Sequence, residues 1–235
     1  MFYDSTYIIL IPAMIFALYA QSQVNRAFKR YSKVRNMRGL TGAQAARRML
    51  DANGLYDVQI NAIGGSLTDH YDPRRRTLNL SQSVYGVDSV AAVSVACHEA
   101  GHALQHAKGY VPLKVRNTIV PAVNFASNLT WPMIILGIFL LSAGSYEMSV
   151  FGNMLFNIGV IGFGAVVFFH AVTLPVEFNA SNRAIRKMEE LGLVADEDIP
   201  GSRKVLRAAA MTYVAALATA VANLLRILAI RGRND

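Results

Sequence analysis

Long stretches without a charged side chain are the feature that most constrains how this chain can fold. Residues 119–143 contain no charge, and residues 149–174 contain none apart from whatever charge His170 carries. Each stretch exceeds the roughly 20 apolar residues that a helix needs to cross the hydrocarbon core of a bilayer. The short link between them contains no Lys or Arg. We therefore predict two transmembrane helices, at 119–143 and 149–174, joined as a hairpin.

Two shorter apolar runs lie near the ends of the chain. Residues 7–20 are apolar and, with their polar neighbours, are just long enough to span a bilayer as a helix at 5–24. This run lacks the basic residues and the cleavage site of a secretory signal, so we interpret it as a retained anchor. Residues 208–226 are mostly Ala, Leu and Val but of borderline length, and a core helix is the alternative there. We favour a span, which gives about four transmembrane helices.

The composition favours a membrane protein over a soluble or nucleic-acid-binding one. Charged residues make up 16% of the 235 residues, whereas soluble domains average about 25%. The formal net charge is +8, and the basic residues flank the apolar runs, as Lys and Arg do in the cytoplasmic loops of membrane proteins. We therefore expect a lipid bilayer, and no nucleic acid, as a partner. A single cysteine, Cys97, excludes an intrachain disulfide.

The distribution of Lys and Arg also predicts an orientation. Most of the basic residues lie in two polar segments, 25–118 and 175–207. Lys and Arg accumulate on the cytoplasmic side of a membrane protein. We therefore expect a multi-pass protein of the cell membrane, with both polar segments in the cytoplasm and the 144–150 link on the far side.

The first polar segment combines helical and strand patterns. Thr41 and Gln44 have the spacing of a capping box, which begins a helix. Residues 58–63 alternate between apolar and polar side chains, and residues 67–71 and 77–80 flank a good turn sequence. We therefore predict a small β-sheet or hairpin here.

Two histidines four residues apart, His98 and His102, lie in the helix that we predict at 89–107. Residues at that spacing are neighbours on one helix face, with Cβ atoms about 5–6 Å apart. Two such imidazoles can bind one Zn²⁺. Glu99 projects about 100° away from His98, beside the metal rather than on it, where a carboxylate can take a proton from water. The pattern predicts a hydrolytic metal site.

The residues between the two histidines are small, Ala100 and Gly101. Small side chains allow another element to approach the metal face of the helix. The alternative is a surface helix with two solvated histidines, which the apolar flanks of the motif disfavour.

A catalytic zinc site needs a third protein ligand and an open position. The candidates are His70, His106, His170 and a downstream carboxylate, of which we choose Glu177. Glu177 lies where the third span ends and where we expect a polar helix to begin, with Pro175 in its first turn. From spacing alone, a first-turn carboxylate that stabilises the helix dipole explains Glu177 equally well.

The remaining histidines have other interpretations. His106 follows His102 by four residues and could share a metal with it, but Glu99 would then lie on the wrong side of the first ligand. His70 is either an exposed or sheet-paired residue or a group that holds substrate. His170 lies inside a predicted span, where a polar group is usually functional or buried against another helix.

The strings HEAGHALQHA and LPVEFNASNRA together resemble the YugP-type membrane zinc metallopeptidases, the Zn peptidase 2 group, which are similar to the gluzincins. The resemblance extends over nearly the whole chain. It implies one Zn²⁺ bound by His98, His102 and Glu177, with Glu99 as general base. It also implies a mainly α, polytopic protein of the bacterial cytoplasmic membrane, with a small α+β zincin-like catalytic domain.

Two positions depart from the family pattern. Relatives usually carry Asp where this chain has Asn179, and the better-known membrane gluzincins place Asp where this chain has Ser181. Either residue can hydrogen-bond a ligand or its neighbour, but neither supplies the charge of an Asp. The departures put the basicity of the ligands in question more than metal binding itself.

These features predict an integral-membrane zinc metalloendopeptidase that hydrolyses membrane or misfolded proteins by metal-activated water. We expect an extended polypeptide substrate along an edge strand near 78–80, and leave a homo-oligomer or a membrane-protein partner open. One alternative is a zinc-bound scaffold or regulatory protein with little turnover. Another is a transporter or channel that uses His170 and the asparagines of the spans, Asn124, Asn128 and Asn157.

Overall fold

The computed structural model describes residues 5–142 and 145–232. The chain is mainly helical, with one small sheet. After a 3-10 turn at Ser5–Ile9, the elements in chain order are α1 (Leu10–Tyr31), α2 (Gly42–Asp51), β1 (Gln59–Ile63), β2 (His70–Asp72), β3 (Thr77–Ser81), α3 (Gln82–Tyr85), α4 (Val90–Ala107), α5 (Val111–Leu141), α6 (Tyr146–Glu190) and α7 (Ile199–Arg231).

Four helical segments are long and apolar enough to cross a membrane. They are Ser5–Tyr31, Val111–Leu141, Tyr146–Glu190 and Ile199–Arg231. The prediction of about four candidate spans is therefore confirmed at the level of length and composition. The run of borderline length near the C-terminus is part of a helix of 33 residues.

The chain divides into two compact units. Unit 1 comprises Met1–Leu18, Val115–Thr173 and Tyr213–Asp235. Its described part is helical, and its core includes Ile134, Phe156, Phe163 and Ile227 from α5, α6 and α7. Glycines bring α5 and α6 close together, because a Cβ added at Gly152 would lie 2.8 Å from the carbonyl oxygen of Gly137. Small residues at such contacts are typical of membrane helices.

Unit 2 comprises Tyr19–Lys114 and Leu174–Thr212. Its core surrounds α4 and contains side chains from α2, β3, α6 and α7, among them Met49, Leu78, Leu104, Met188 and Leu206. The capping box at the start of α2 is confirmed. The Thr41 hydroxyl accepts the backbone N–H of Gln44 at 3.3 Å, and the Gln44 side chain accepts that of Thr41 at 3.0 Å.

The small sheet has the strand order β1-β3-β2, with β1 parallel and β2 antiparallel to β3. Alternation along β3 buries Leu78 and Leu80 in the core of unit 2 and leaves Asn79 on the opposite face. The predicted sheet is therefore confirmed. The expectation of an open edge near 78–80 is wrong, because β3 is the central strand and its neighbours occupy both of its edges.

The prediction that a polar helix begins at Pro175 is also wrong, because residues 175–190 continue α6. The reason is a buried stripe at four-residue spacing: Val176, Ala180, Ala184 and Met188 are all 0% exposed. This apolar stripe packs the continuing helix into the core of unit 2. Proline inside a long apolar helix is tolerated where neighbouring groups satisfy the freed backbone.

Candidate metal centre

Two helices of unit 2 bring three potential metal ligands together. The rings of His98 and His102 on α4 have centroids 4.8 Å apart, at an interplanar angle of 83°. On α6, the Oε2 atom of Glu177 lies 3.3 Å from Nε2 of His98 and 3.5 Å from Nε2 of His102. The ligand atoms of the three residues all lie within 4.8 Å of one another. The three residues are thus close enough to bind one metal ion.

The distances from Glu177 to the two histidines fit a tetrahedral site. Zn–N and Zn–O bonds of about 2.0–2.2 Å place neighbouring ligand atoms roughly 3.3–3.5 Å apart. The distances of 3.3 and 3.5 Å between Glu177 and the two imidazoles match that edge length. Glu177 is 3% exposed and His102 8%, so the carboxylate is buried against two imidazoles. This combination of nitrogen and oxygen donors suits zinc.

Gly101 allows α4 and α6 to approach closely at this site. A Cβ added at this position would lie 2.7 Å from the carbonyl oxygen of Ala180 on α6. That approach holds the segment that carries Glu177 against the face of α4 that carries both histidines. The expectation that small residues between the histidines allow another element to approach is confirmed for Gly101.

A hydrogen-bond network orients His102. Its Nδ1 atom lies 3.0 Å from Oε1 of Gln105, so with Nδ1 protonated the ring donates to that oxygen. The Gln105 amide group in turn donates to Oδ1 of Asn179 at 3.0 Å and to the carbonyl of Val176 at 2.8 Å. Arg183 also donates to Oδ1 of Asn179, at 2.7 Å. The network leaves Nε2 of His102 directed at Glu177.

Ser181 orients His98 with a single contact, between its hydroxyl and Nδ1 of the ring at 3.2 Å. Asn179 and Ser181, the two departures from the family pattern, therefore each support a different histidine. Gln105 was missed in the sequence analysis. Its position three residues after His102, on the same face of the helix, was the signal that could have identified it.

Glu99 lies beside the three potential ligands and is half-buried. Burial raises the pKa of its carboxyl group to about 7. His98 and a hydrogen bond from the backbone amide of Tyr71 lower this pKa, while the carboxylates of Glu177 and Asp69 raise it. A carboxyl group whose pKa lies near neutrality can both accept and release a proton.

The other histidines have partners of their own. Nδ1 of His106 contacts the Tyr71 hydroxyl at 2.9 Å, and His106 is outside the group of potential ligands among the described residues. In the sheet, His70 is exposed, with Nδ1 2.9 Å from the carbonyl of Thr68 and Nε2 3.0 Å from the amide nitrogen of Asn79. It is therefore sheet-paired. The His170 ring packs against Phe169 in unit 1.

Cys97 is next to His98 but takes no part in this chemistry. It is fully buried, and burial raises the pKa of its thiol to about 12. A thiol with so high a pKa is neither a nucleophile nor a metal ligand at neutral pH.

Comparison with known proteins places this geometry in a family context. Residues 6–232 match the model of a family described as "Putative neutral zinc metallopeptidase". The chain is also 47% identical over 227 residues to the Bacillus subtilis (strain 168) protein named "Putative membrane protease YugP", and the alignment covers 96% of each chain. No solved structure matches the chain. The matched region contains every residue of the candidate metal centre.

Proposed function

The chain belongs to the family described as "Putative neutral zinc metallopeptidase", and from that premise we propose that it is an integral-membrane zinc metalloendopeptidase. We propose that it hydrolyses peptide bonds of membrane or misfolded proteins. The observation that carries the proposal is the set of three donor atoms within 4.8 Å of one another, with Glu177 at tetrahedral spacing from both imidazoles and Glu99 close enough to interact with His98 and Glu177.

In this proposal His98, His102 and Glu177 hold one Zn²⁺. When bound, the zinc ion would act as a Lewis acid, which polarises the scissile carbonyl and lowers the pKa of water. The protein's own contribution is to fix the ligands. Gln105 and Ser181 hold the two rings so that both Nε2 atoms point at Glu177.

Glu99 moves the proton in the proposed reaction. Its carboxylate takes a proton from the attacking water as the oxygen bonds to the carbonyl carbon. It then transfers the same proton to the amide nitrogen as the C–N bond breaks, which releases the amine. A pKa of about 7, raised by burial, suits a group that must accept and then donate within one cycle.

The free edge of β2 is where we propose that an extended substrate binds. Among the described strands, β2 pairs only with β3. The backbone N–H of Tyr71 on β2 donates a hydrogen bond to the Glu99 carboxyl group and lowers its pKa. A polypeptide that adds a strand there would be held mainly by main-chain hydrogen bonds, next to the proposed general base. Such binding predicts a broad sequence preference.

The experiment that tests the proposal separates metal binding from hydrolysis. We expect Glu99→Gln to retain one zinc ion per chain, measured by elemental analysis, and to lose about 10²–10⁴-fold in cleavage rate on an unfolded protein substrate. Glu197→Gln is the matched control, because Glu197 is exposed. Full activity of Glu99→Gln would show that the general base is assigned wrongly.

The uncharged residues at 179 and 181 favour a second candidate, a zinc-bound scaffold or regulatory protein with little turnover. Neither Asn179 nor Ser181 supplies the negative charge that would raise the basicity of a ligand. A purified protein that holds zinc and cleaves no unfolded substrate would support this candidate over the endopeptidase.

We also propose that the polar segments face the cytoplasm, because they carry most of the Lys and Arg residues. A reporter fused after Arg231 shares their side of the membrane if α7 does not span, and lies on the opposite side if it does. A cysteine introduced at the exposed Glu197, in a Cys97→Ala background, is expected to resist an impermeant thiol reagent in intact cells. Labelling of this cysteine in intact cells would show that the polar segments face the outside of the cell.

A further inference from the structure

A groove lined by four cationic side chains lies on unit 2. None of its lining residues belongs to the candidate metal centre. Its volume is about 580 Å³, within the roughly 300–1,000 Å³ typical of small-molecule sites. The C-terminal part of α1 and the N-terminal part of α7 form its walls. The cations that line it are Arg26, Arg30, Lys204 and Arg207.

Helical periodicity places these cations on one face of each helix. On α1 the groove is lined by residues 19, 20, 23, 26, 27, 30 and 31, and on α7 by residues 204, 207, 208 and 211, both at spacings of one helix face. Arg26 and Arg30 are four residues apart, and like charges at that spacing destabilise a helix. Two further cations on α7 add to this repulsion.

No acidic side chain compensates the charge of the groove within the part of the chain that the structure describes. Neither Asp nor Glu is among the described residues that line it. Over residues 5–142 and 145–232, none of the four cations forms an ion pair with a carboxylate, whereas the neighbouring Arg203 pairs with Glu189 at 2.6 Å. The groove therefore concentrates positive charge that an anion would neutralise.

The groove also has an apolar and aromatic wall. Tyr19, Ala20, Ala208 and Met211 line it together with the cations. In sequence, the α1 cations follow directly on the first apolar run, and the α7 cations directly precede the last one. Lys and Arg at such positions lie at the level of lipid headgroups.

Close packing of the two helices fixes one end of the groove. A Cβ added at Gly201 on α7 would lie 2.8 Å from Cε1 of Tyr31 on α1. Tyr31 also lies beneath the guanidinium of Arg30, with 5.6 Å from Cζ to the ring centroid. The cations are thus presented by helices in direct contact.

We propose that this groove binds the phosphate of an anionic phospholipid, with the acyl chains along its apolar wall. Guanidinium groups bind phosphate oxygens in a bidentate manner, and an apolar wall beside the cations suits a lipid better than a free phosphate. The site is separate from the proposed peptidase activity, and its test needs no turnover.

The test measures lipid binding by full-length protein purified in a neutral detergent. Phosphatidylglycerol is added, and binding is followed by native mass spectrometry and by the shift in thermal unfolding temperature. One double variant combines Arg26→Gln with Arg30→Gln on α1, and the other combines Lys204→Gln with Arg207→Gln on α7. We expect each pair to weaken binding about thirtyfold, from about 1 kcal/mol for each cation.

The matched control is Lys29→Gln with Lys33→Gln. Lys29 on α1 and Lys33, two residues beyond its end, are both exposed and do not line the groove. This pair therefore removes the same net charge from the same part of the chain, and we expect it to retain phosphatidylglycerol binding. Should a double variant fail to fold, Arg30→Gln alone is expected to weaken binding about fivefold.

Three comparison ligands distinguish the sources of the anion. Phosphatidylcholine tests the need for net negative charge, glycerol phosphate tests the headgroup without chains, and polyglutamate tests an acidic polypeptide. We expect each to bind at least about tenfold more weakly than phosphatidylglycerol. Equal binding of any of these ligands, or equal losses in the Lys29 and Lys33 control, would overturn the proposal.

Discussion

The two parts of helix α6 use close helix packing for different purposes. In unit 1, Gly152 on α6 lies so near α5 that an added Cβ would be 2.8 Å from the carbonyl of Gly137. In unit 2, Ala180 on α6 lies similarly near Gly101 on α4. The first contact packs apolar helices, whereas the second also places Glu177 against two histidines. Substitutions in the first region should therefore affect stability alone, and those in the second should affect metal binding as well.

The largest expected effect is the loss of a potential ligand on the unit 2 part of α6. We expect Glu177→Ala to lower the zinc content from one ion per chain towards none, because two imidazoles alone leave the site one protein ligand short. Elemental analysis of the purified protein measures this. Glu190→Gln, at the exposed end of the same helix, should keep its zinc. Zinc retained in full by Glu177→Ala would remove Glu177 from the site.

A glycine pair tests the comparison directly. Gly101→Ala and Gly152→Ala should each destabilise the protein by about 1–3 kcal/mol, because both place a methyl group against backbone atoms. Only Gly101→Ala should also weaken zinc binding, by up to about 10²-fold, because it displaces a ligand-bearing helix. Chelator competition and thermal unfolding measure the two effects.

Gly164→Ala on α6 is the control for this pair, since no heavy atom lies within 4 Å of an added Cβ. It should leave zinc affinity unchanged and be neutral or stabilising by up to about 1 kcal/mol. The comparison fails if Gly152→Ala weakens zinc binding as much as Gly101→Ala does.

Local patterns in the sequence predicted the unit 2 elements well. The capping box at Thr41 and the helix of the two histidines depend on contacts within a few residues, which periodicity and capping rules describe. The length of each apolar run likewise predicts whether a helix can span a bilayer without reference to distant residues. These features could be predicted because each is determined by neighbours in the chain.

Features that depend on distant residues could not be predicted in this way. Glu177 is 79 residues from His98, and only the resemblance to a family favoured it over the helix-dipole interpretation. The central place of β3 follows from a strand order that differs from chain order. Pro175 misled the prediction of a helix start because the buried stripe beyond it is a tertiary feature.

Removing the hydrogen-bond acceptor that orients His102 should have an intermediate effect on zinc affinity. Gln105→Leu deletes the acceptor 3.0 Å from Nδ1 of His102, so the ring loses its fixed orientation. We expect zinc affinity to fall by about 10–100-fold. Ser181→Ala, which removes a single longer contact to His98, should lower it less. The reverse order in chelator competition would show that the Gln105 network does not orient the ligand.

The smallest expected effect is a gain in zinc affinity when a negative charge is added to the hydrogen-bond network that orients His102. In Asn179→Asp, a carboxylate would accept hydrogen bonds from Gln105 and Arg183 in place of the Asn179 amide oxygen, which now lies 3.0 and 2.7 Å from them. Charge-assisted hydrogen bonds are roughly twice as strong as neutral ones. The added charge should hold Gln105 more firmly and raise the basicity of the His102 ring, for a gain in zinc affinity of up to about tenfold.

Asn179→Leu is the companion variant, because it removes the acceptor of both donors while keeping a side chain of similar size. It should lower zinc affinity, as Gln105→Leu does, so that the three residues at this position rank Asp above Asn above Leu. Equal affinity of all three would show that the network ends at Gln105. In that case the unit 2 part of α6 would position Glu177 through the Gly101 contact alone. The unit 1 and unit 2 parts of α6 would then both act through close helix packing, and the polar network would add nothing to metal binding.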